Sequence, residues 1–142
     1  MKLYFAGPIF SAAERDWNAT LAMALRAAGH ELFLPQEREL GKDAAGIFAT
    51  DVGGIDWAEG VLAIMDGPDP DSGTSWEVGY AFGKKPILLI RTDIRWLGSS
   101  GDSGYNLMLA EAATLRLDLR AASMERIVDQ VLAGLRRLEA PA

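Results

Sequence analysis

Apolar residues follow two alternating rhythms along this chain. Unbroken apolar runs occur at Leu3-Tyr4-Phe5-Ala6, Leu32-Phe33-Leu34, Val61-Leu62-Ala63-Ile64-Met65 and Ile87-Leu88-Leu89-Ile90, each stopped or preceded by Gly or Pro. Runs of that length with no polar alternation are the mark of strands buried on both faces. Between them the apolar positions return every three or four residues, as Trp17, Leu21, Ala24, Leu25 and Ala28 do, which is the spacing of a helix that buries one face. The pattern predicts strands at residues 2–6, 31–34, 61–65, 86–90 and 115–117. It predicts helices at residues 12–28, 42–57, 106–113 and 123–138, and one more that resumes after Pro70 with Val78, Ala81 and Phe82 on one face.

Local punctuation sharpens these limits. Ser11 with Glu14 three residues later forms a capping box, and Gly29 suits the left-handed residue that closes a helix. In the helix after Pro70, Thr74 or Ser72 is a candidate N-cap, which would put Glu77 in the first turn. There the helix dipole favours an ionised carboxylate by ~0.3–1 kcal/mol, with or without any function. Residues 91–104 are polar and rich in Gly and Ser, and read as a loop outside the core. Ser123 with Arg126 is a poorer cap than Ser11 with Glu14, but Ile127, Val131, Leu135 and Leu138 sustain a closing amphipathic helix.

Strand and helix alternate throughout, so the expected fold class is α/β, a doubly wound parallel sheet in one domain spanning residues 1–142. Five strands with right-handed crossovers give a flavodoxin-like order 2-1-3-4-5. The switch point then falls between the first and third strands, where ligands bind beyond the carboxyl ends. Residues 7–11 and 66–74 meet there. Gly7 lets a ligand approach the backbone, and Tyr4 and Phe10 offer ring faces, though either ring could equally be packing in the core. Glu77 and Asp71 are aimed at the same crevice; for Asp71 the plain alternative is a turn-forming residue.

Composition narrows the chemistry. The chain is 49% hydrophobic and 24% charged, an ordinary globular balance, and it has no cysteine and one histidine, His30, in a helix-to-strand turn. Thiol catalysis, disulfides and cysteine-ligated zinc are excluded, and a Ser-His-Asp triad is improbable. A net charge of −6 argues against a nucleic-acid polymer as partner. No apolar run reaches ~18 residues and no basic-then-apolar leader is present, so the expectation is no membrane association and a cytoplasmic protein. Neither a G-x-G-x-x-G nor a G-K-[ST] phosphate loop occurs. What remains in the crevice is carboxylate: Asp51, Asp66, Asp69, Asp71 and Glu77. Carboxylates acting together suit glycosyl chemistry, one attacking the anomeric carbon and another handling protons. A Mg²⁺ site is the competing use, and would want a phosphate-bearing partner for which no loop is present.

The stretches Tyr4-Phe5-Ala6-Gly7-Pro8-Ile9-Phe10-Ser11, Phe33-Leu34-Pro35-Gln36, Asp71-Ser72-Gly73-Thr74-Ser75-Trp76-Glu77-Val78-Gly79-Tyr80 and Asn106-Leu107-Met108 resemble the nucleoside 2-deoxyribosyltransferases. The resemblance implies Glu77 as nucleophile, Asp71 and Asp51 as assisting acids, and Tyr4 as the group that orients Glu77. It implies a substrate-binding set of Tyr4, Gly7, Phe10, Gln36, Asn106 and Met108, the last two reaching the site of a neighbouring subunit. The implied activity moves the 2-deoxyribosyl group of a deoxynucleoside to a free nucleobase through a covalent glutamyl intermediate with retention. It needs neither metal nor other cofactor, and implies a homo-oligomer, dimer or higher, with shared active sites and a role in purine or pyrimidine salvage. Two alternatives stand beside it: an N-glycosidase hydrolysing nucleosides or nucleoside 5′-monophosphates, and a non-catalytic nucleotide- or nucleobase-binding module on the same fold.

Overall fold

The computed structural model describes residues 1–95 and 105–139. Five strands, β1 (Lys2–Ala6), β2 (Glu31–Phe33), β3 (Gly60–Ile64), β4 (Ile87–Arg91) and β5 (Leu115–Asp118), form one sheet in the order β2-β1-β3-β4-β5. Every pair is parallel, with Tyr4 opposite both Phe33 and Val61, and Ala63 opposite Leu89. Helices α1 (Ala12–Ala27), α2 (Ala44–Trp57), α3 (Ser72–Ala81), α4 (Leu107–Ala112) and α5 (Met124–Glu139) make the crossovers. The expected flavodoxin-like order is the one observed.

Side-chain alternation along each strand divides the core into two layers. On one face Leu3, Phe5, Leu62, Leu88 and Ile90 pack with Leu21 and Leu25 of α1 and Ile127, Val131 and Leu135 of α5. On the other, Tyr4, Ala6, Val61, Ala63 and Leu89 pack with Ile55 of α2, Val78 of α3 and Ala110 of α4. Burying each large apolar side chain is worth ~1.5–3 kcal/mol, so the three central strands, buried at every position but Lys2, anchor the fold. The loops at their carboxyl ends are thereby carried on a rigid platform.

Local signals behave largely as the sequence predicts. Ser11 Oγ accepts from the Glu14 amide while Glu14 Oε2 accepts from the amides of Ser11 and Phe10, closing the capping box and fixing the loop after β1. Gly29 follows the end of α1 at φ +93°, a conformation that favours glycine. Two expectations fail. The N-cap of α3 is Asp71, not Ser72 or Thr74: its Oδ2 accepts from the Thr74 amide at 2.9 Å and from the Thr74 hydroxyl at 3.1 Å. Glu77 is therefore the sixth residue of the helix, beyond its first turn. Arg91, read as the start of a polar loop, is the last residue of β4 and only 1% exposed. The rest of the expected loop, residues 96–104, lies outside the described residues.

Candidate active site

Tyr4 is where strand, helix and chemistry meet. It sits in the middle of β1 facing α2 and α3, has no exposed surface, and donates its hydroxyl to Glu77 Oε1 at 2.5 Å. Phe33 stacks on it with ring centroids 5.4 Å apart and planes 19° from parallel. Helix α2 closes over this pair at Gly54, where a Cβ would come within 2.6 Å of the Phe33 ring; only glycine allows that approach. Burial, together with the negative charge of Glu77, pushes the Tyr4 phenol far above its ordinary range, so it stays a donor at any working pH.

Glu77 and Asp51, from α3 and α2, line a cleft of about 440 Å³ with Ile47, Phe48, Gly73 and Trp76. Its walls are mainly apolar, and the Phe48 and Trp76 rings meet at 5.4 Å and 55° across it. Burial raises the Glu77 carboxyl to about 7; the Tyr4 hydrogen bond opposes that rise, and the charges of Asp51, Asp71 and Glu39 add to it. Asp51 is raised to about 6, first by burial, then by the charge of Glu39, with Lys42 pulling the other way. Asp51 Oδ1 is enclosed and has no hydrogen-bond partner. Glu77 is thus not the permanently ionised first-turn carboxylate that the cap assignment implies. It titrates near neutrality, in a desolvated site where its ionised form depends on a phenolic donor. Two carboxyls poised between 6 and 7 are equipped for one to attack while the other delivers a proton.

The remaining expected residues divide. Asp71 stands at the mouth of the cleft as the α3 cap, close enough to raise Glu77 but engaged by Thr74. Gly7 ends β1 where a Cβ would lie 3.0 Å from Ile64 Cγ1, so close packing as well as access explains it. Phe10 is 75% exposed on the loop beyond. Gln36 is turned toward α1: its Nε2 donates to the Arg15 carbonyl at 2.9 Å, and its Oε1 accepts from buried Asn18, which also donates to the Pro8 carbonyl. Asn106 caps α4, accepting from the Met108 amide at 3.0 Å. Met108 is 77% exposed and borders a separate groove of about 290 Å³ between α3 and α4, with Val78, Gly79 and Phe82. Tyr4, Asp51 and Glu77 are brought together within one protomer; Asn106 and Met108 stand on the other side of α3. His30 is remote from all of them, its Nδ1 3.3 Å from the amino group of Met1. Among the described residues, no group of three or more His, Asp or Glu side chains is placed to hold a metal ion, and no helix is long and apolar enough to cross a membrane.

Some residues of the site carry little sequence signal. Phe48 lies three residues before Asp51, on the same face of α2, a spacing that does tie it to the cleft. Trp76 adjoins Glu77 but is not marked by periodicity. Arg91 gives no warning at all. Its guanidinium donates to the carbonyls of Met65 at 2.6 Å, Arg95 at 2.8 Å and Gly67 at 3.3 Å. Asp66 reinforces it by accepting from the Thr92 amide at 2.6 Å and the Asp93 amide at 2.9 Å. This cluster pins the connection from β3 to α3 that delivers Asp71 and Glu77.

The sequence profile of a family described as "Nucleoside 2-deoxyribosyltransferase" matches residues 3–118. Among solved structures, a conserved protein from Enterococcus faecalis V583 is similar at 25% identity and a TM-score of 0.73, over 94% of this chain and 98% of that one. A 2-deoxyribosyltransferase from Bacillus psychrosaccharolyticus is similar at 24% identity and a TM-score of 0.68, over 89% of this chain and 96% of that one. A CMP N-glycosidase from Clostridium botulinum shares the fold at 14% identity and a TM-score of 0.69, over 94% and 99% of the two chains. Among curated proteins, none matches.

Proposed function

The chain belongs to the nucleoside 2-deoxyribosyltransferase family, and we propose on that footing that it transfers the 2-deoxyribosyl group of a deoxynucleoside to another nucleobase. The observation that carries this reading is the Tyr4–Glu77 hydrogen bond at the base of an apolar cleft shared with Asp51. The inclined Phe48 and Trp76 rings supply apolar surface against which a base can pack, and the carboxyls lie beside it.

In the first half-reaction, the protonated Asp51 gives its proton to a ring nitrogen of the departing base. Ionised Glu77, oriented by Tyr4, attacks C1′ as the glycosidic bond breaks, leaving a glutamyl-deoxyribosyl ester. In the second, the incoming base attacks C1′ of that ester while its N–H proton passes to Asp51, and Glu77 leaves as carboxylate. Two inversions give retention. Asp51 suits the proton-handling part better than Asp71, whose carboxylate holds the start of α3. Asn106 is proposed to bind the 5′-hydroxyl from a neighbouring subunit, with Met108 beside it, in a homo-oligomer of dimer size or larger. A cytoplasmic salvage role and independence of metal or other cofactors belong to the same proposal.

Hydrolysis is the second reading, since the fold is shared with a CMP N-glycosidase and water attacking the same ester would release free sugar. One chromatographic assay separates them: incubate a purine or pyrimidine deoxynucleoside with a different free base. A new deoxynucleoside is the expected product. Free deoxyribose in its place favours the glycosidase, and saturable binding with no turnover favours a binding module.

A further inference from the structure

A phenol hydroxyl stands at the far end of a rigid ring, so a small tilt of the ring displaces it well out of line. Hydrogen bonds weaken steeply with such misalignment, and the Tyr4–Glu77 bond therefore depends on what fixes the Tyr4 ring. Tyr4 and Phe33 are register partners on β1 and β2, so their side chains leave the same face of the sheet. The Phe33 ring lies along Tyr4 at 5.4 Å and 19°. β2 is a three-residue edge strand, and among the described residues no further strand supports Phe33 from outside. Two other groups hold the ring: the Arg38 guanidinium carbon, 5.8 Å from its centroid, and helix α2 at Gly54. A Cβ at Gly54 would lie 2.6 to 2.7 Å from three ring carbons of Phe33. Gly54 has no positive φ, and glycine inside a helix is otherwise disfavoured against alanine, so contact with Phe33 is what accounts for it. Its neighbour Gly53 is the contrast: among the described residues, nothing lies within 4 Å of a Cβ placed there.

We propose that Phe33 is a positioning residue: held by the Gly54 turn of α2, it fixes the plane of the Tyr4 ring and so aims the Tyr4 hydroxyl at Glu77. This rests on the reading of Glu77 as the nucleophile of the transfer reaction. Gly54 follows Asp51 by three residues, so the turn of α2 that brings Asp51 to the cleft is the one that presses on Phe33. The helix thereby places both carboxyls at once, Asp51 directly and Glu77 through two stacked rings. Phe33 itself lines a different hollow, of about 450 Å³, with Arg38, Gly53 and Trp57. That hollow gives the ring room to yield, so a methyl added at Gly54 displaces Phe33 from its place on Tyr4.

The Tyr4 hydrogen bond lowers the Glu77 midpoint, against burial and against the charges of Asp51 on α2, Asp71 at the start of α3 and Glu39 before α2. Substitution at Phe33 or Gly54 alters none of those charges. A ¹³C NMR titration of side-chain carboxyls, with the Glu77 signal assigned by its loss in Glu77→Gln, therefore reads the bond. Tyr4→Phe removes the donor and should raise the midpoint by on the order of one pH unit. Gly54→Ala and Phe33→Leu should each raise it part of the way, and neither should add to the rise in the Tyr4→Phe protein. Gly53→Ala is the control and should leave it in place. The acid limb of kcat should move with the midpoint while KM changes little, a pattern that loss of folded protein would not produce. If Gly54→Ala does not fold, Phe33→Leu, which introduces no overlap, carries the test alone. A Glu77 midpoint unmoved or lowered in Phe33→Leu, or a rise of equal size in the Tyr4→Phe protein, overturns the proposal. The expected midpoints in a protein that transfers nothing would leave the positioning role standing and remove the transferase reading instead.

Discussion

The two sides of α3 are built from similar materials and do different things. Toward α2 the helix presents Glu77 to a cleft where its carboxyl is desolvated, held by one phenol and repelled by the charge of Asp51. Toward α4 it presents Val78, Gly79 and Phe82 to a groove bordered by Met108 and Leu109, with Glu111 at its edge. Both hollows are largely apolar, about 440 Å³ and about 290 Å³, so hydrophobicity does not tell them apart. The difference lies in titratable groups taken out of water: Glu77 and Asp51 are raised toward neutrality in one, whereas Glu111 stands exposed to solvent at the edge of the other. Desolvated acid is a poor way to stabilise a protein, and its presence on one side alone marks where chemistry is proposed. The second side is suited to association, and Asn106 at its edge is proposed to serve a neighbour's cleft.

Removing the nucleophile should break this contrast most severely. Glu77→Ala is expected to lower transfer by more than about 10³-fold, as loss of a covalent catalyst does, while the far-ultraviolet circular dichroism stays native. Retention of a sizeable fraction of the wild-type rate would exclude Glu77 as nucleophile. Next comes Asp51→Asn, expected to lower kcat by roughly 10²–10⁴-fold. With Glu77 required as carboxylate and Asp51 as acid, the wild-type rate should peak between their values of about 7 and about 6. It should fall toward lower pH as Glu77 protonates and toward higher pH as Asp51 ionises, and Asp51→Asn should abolish the alkaline limb. A flat profile across that window would contradict the assignment.

The other side of α3 is tested by complementation. Glu77→Ala and Asn106→Ala proteins, each inactive alone, are mixed and allowed to exchange subunits. If sites are shared in a two-fold dimer, half the dimers are hybrids with one intact site, so about one quarter of wild-type activity should return. No recovery despite proven exchange would place Asn106 in its own protomer's site or in none.

How much of this was open to reading before the structure follows from the range of each interaction. The strand runs, the capping box at Ser11 and Glu14 and the left-handed Gly29 depend on neighbours within a few residues, and all were legible. The position of Glu77 in its helix was misjudged because Ser72, Thr74 and Asp71 are all good caps, and the loop path decides among them. Its ionisation turns on burial that only the fold supplies, opposed by a hydrogen bond from a strand tyrosine 73 residues away. Arg91 contradicts the rule that charge lies outside, being satisfied by three carbonyls that only the folded loops assemble.

A smaller effect concerns stability. Glu77 and Asp51 have folded values above those of ordinary carboxyls, so the native state holds more protons than the unfolded chain between about 4 and about 7. Their contribution is therefore complete below pH 4 and is lost as pH rises through 7. Thermal melts should show that decline, and Glu77→Gln should flatten part of it. An identical decline in the variant would mean that other groups carry the pH dependence.

The smallest effect is expected at Asp71, and it asks whether the mouth of the cleft belongs to the catalytic side of α3 or only to the helix. Asp71 Oδ2 accepts from the backbone and hydroxyl of Thr74, and the Asp71 carbonyl accepts from Ser75, so every described contact is that of a cap. Asn is as good an N-cap as Asp, since its side-chain carbonyl accepts the same bond. Asp71→Asn should then keep the melting temperature and hold transfer within roughly tenfold of wild type, the residual change coming from one lost charge near Glu77. Asp71→Ala should instead lose about 1 kcal/mol of stability with the cap. If Asp71→Asn keeps its stability but loses 10²-fold or more in kcat, the carboxyl handles a proton, as Asp51 is proposed to do. In that case the catalytic side of α3 begins at its first turn.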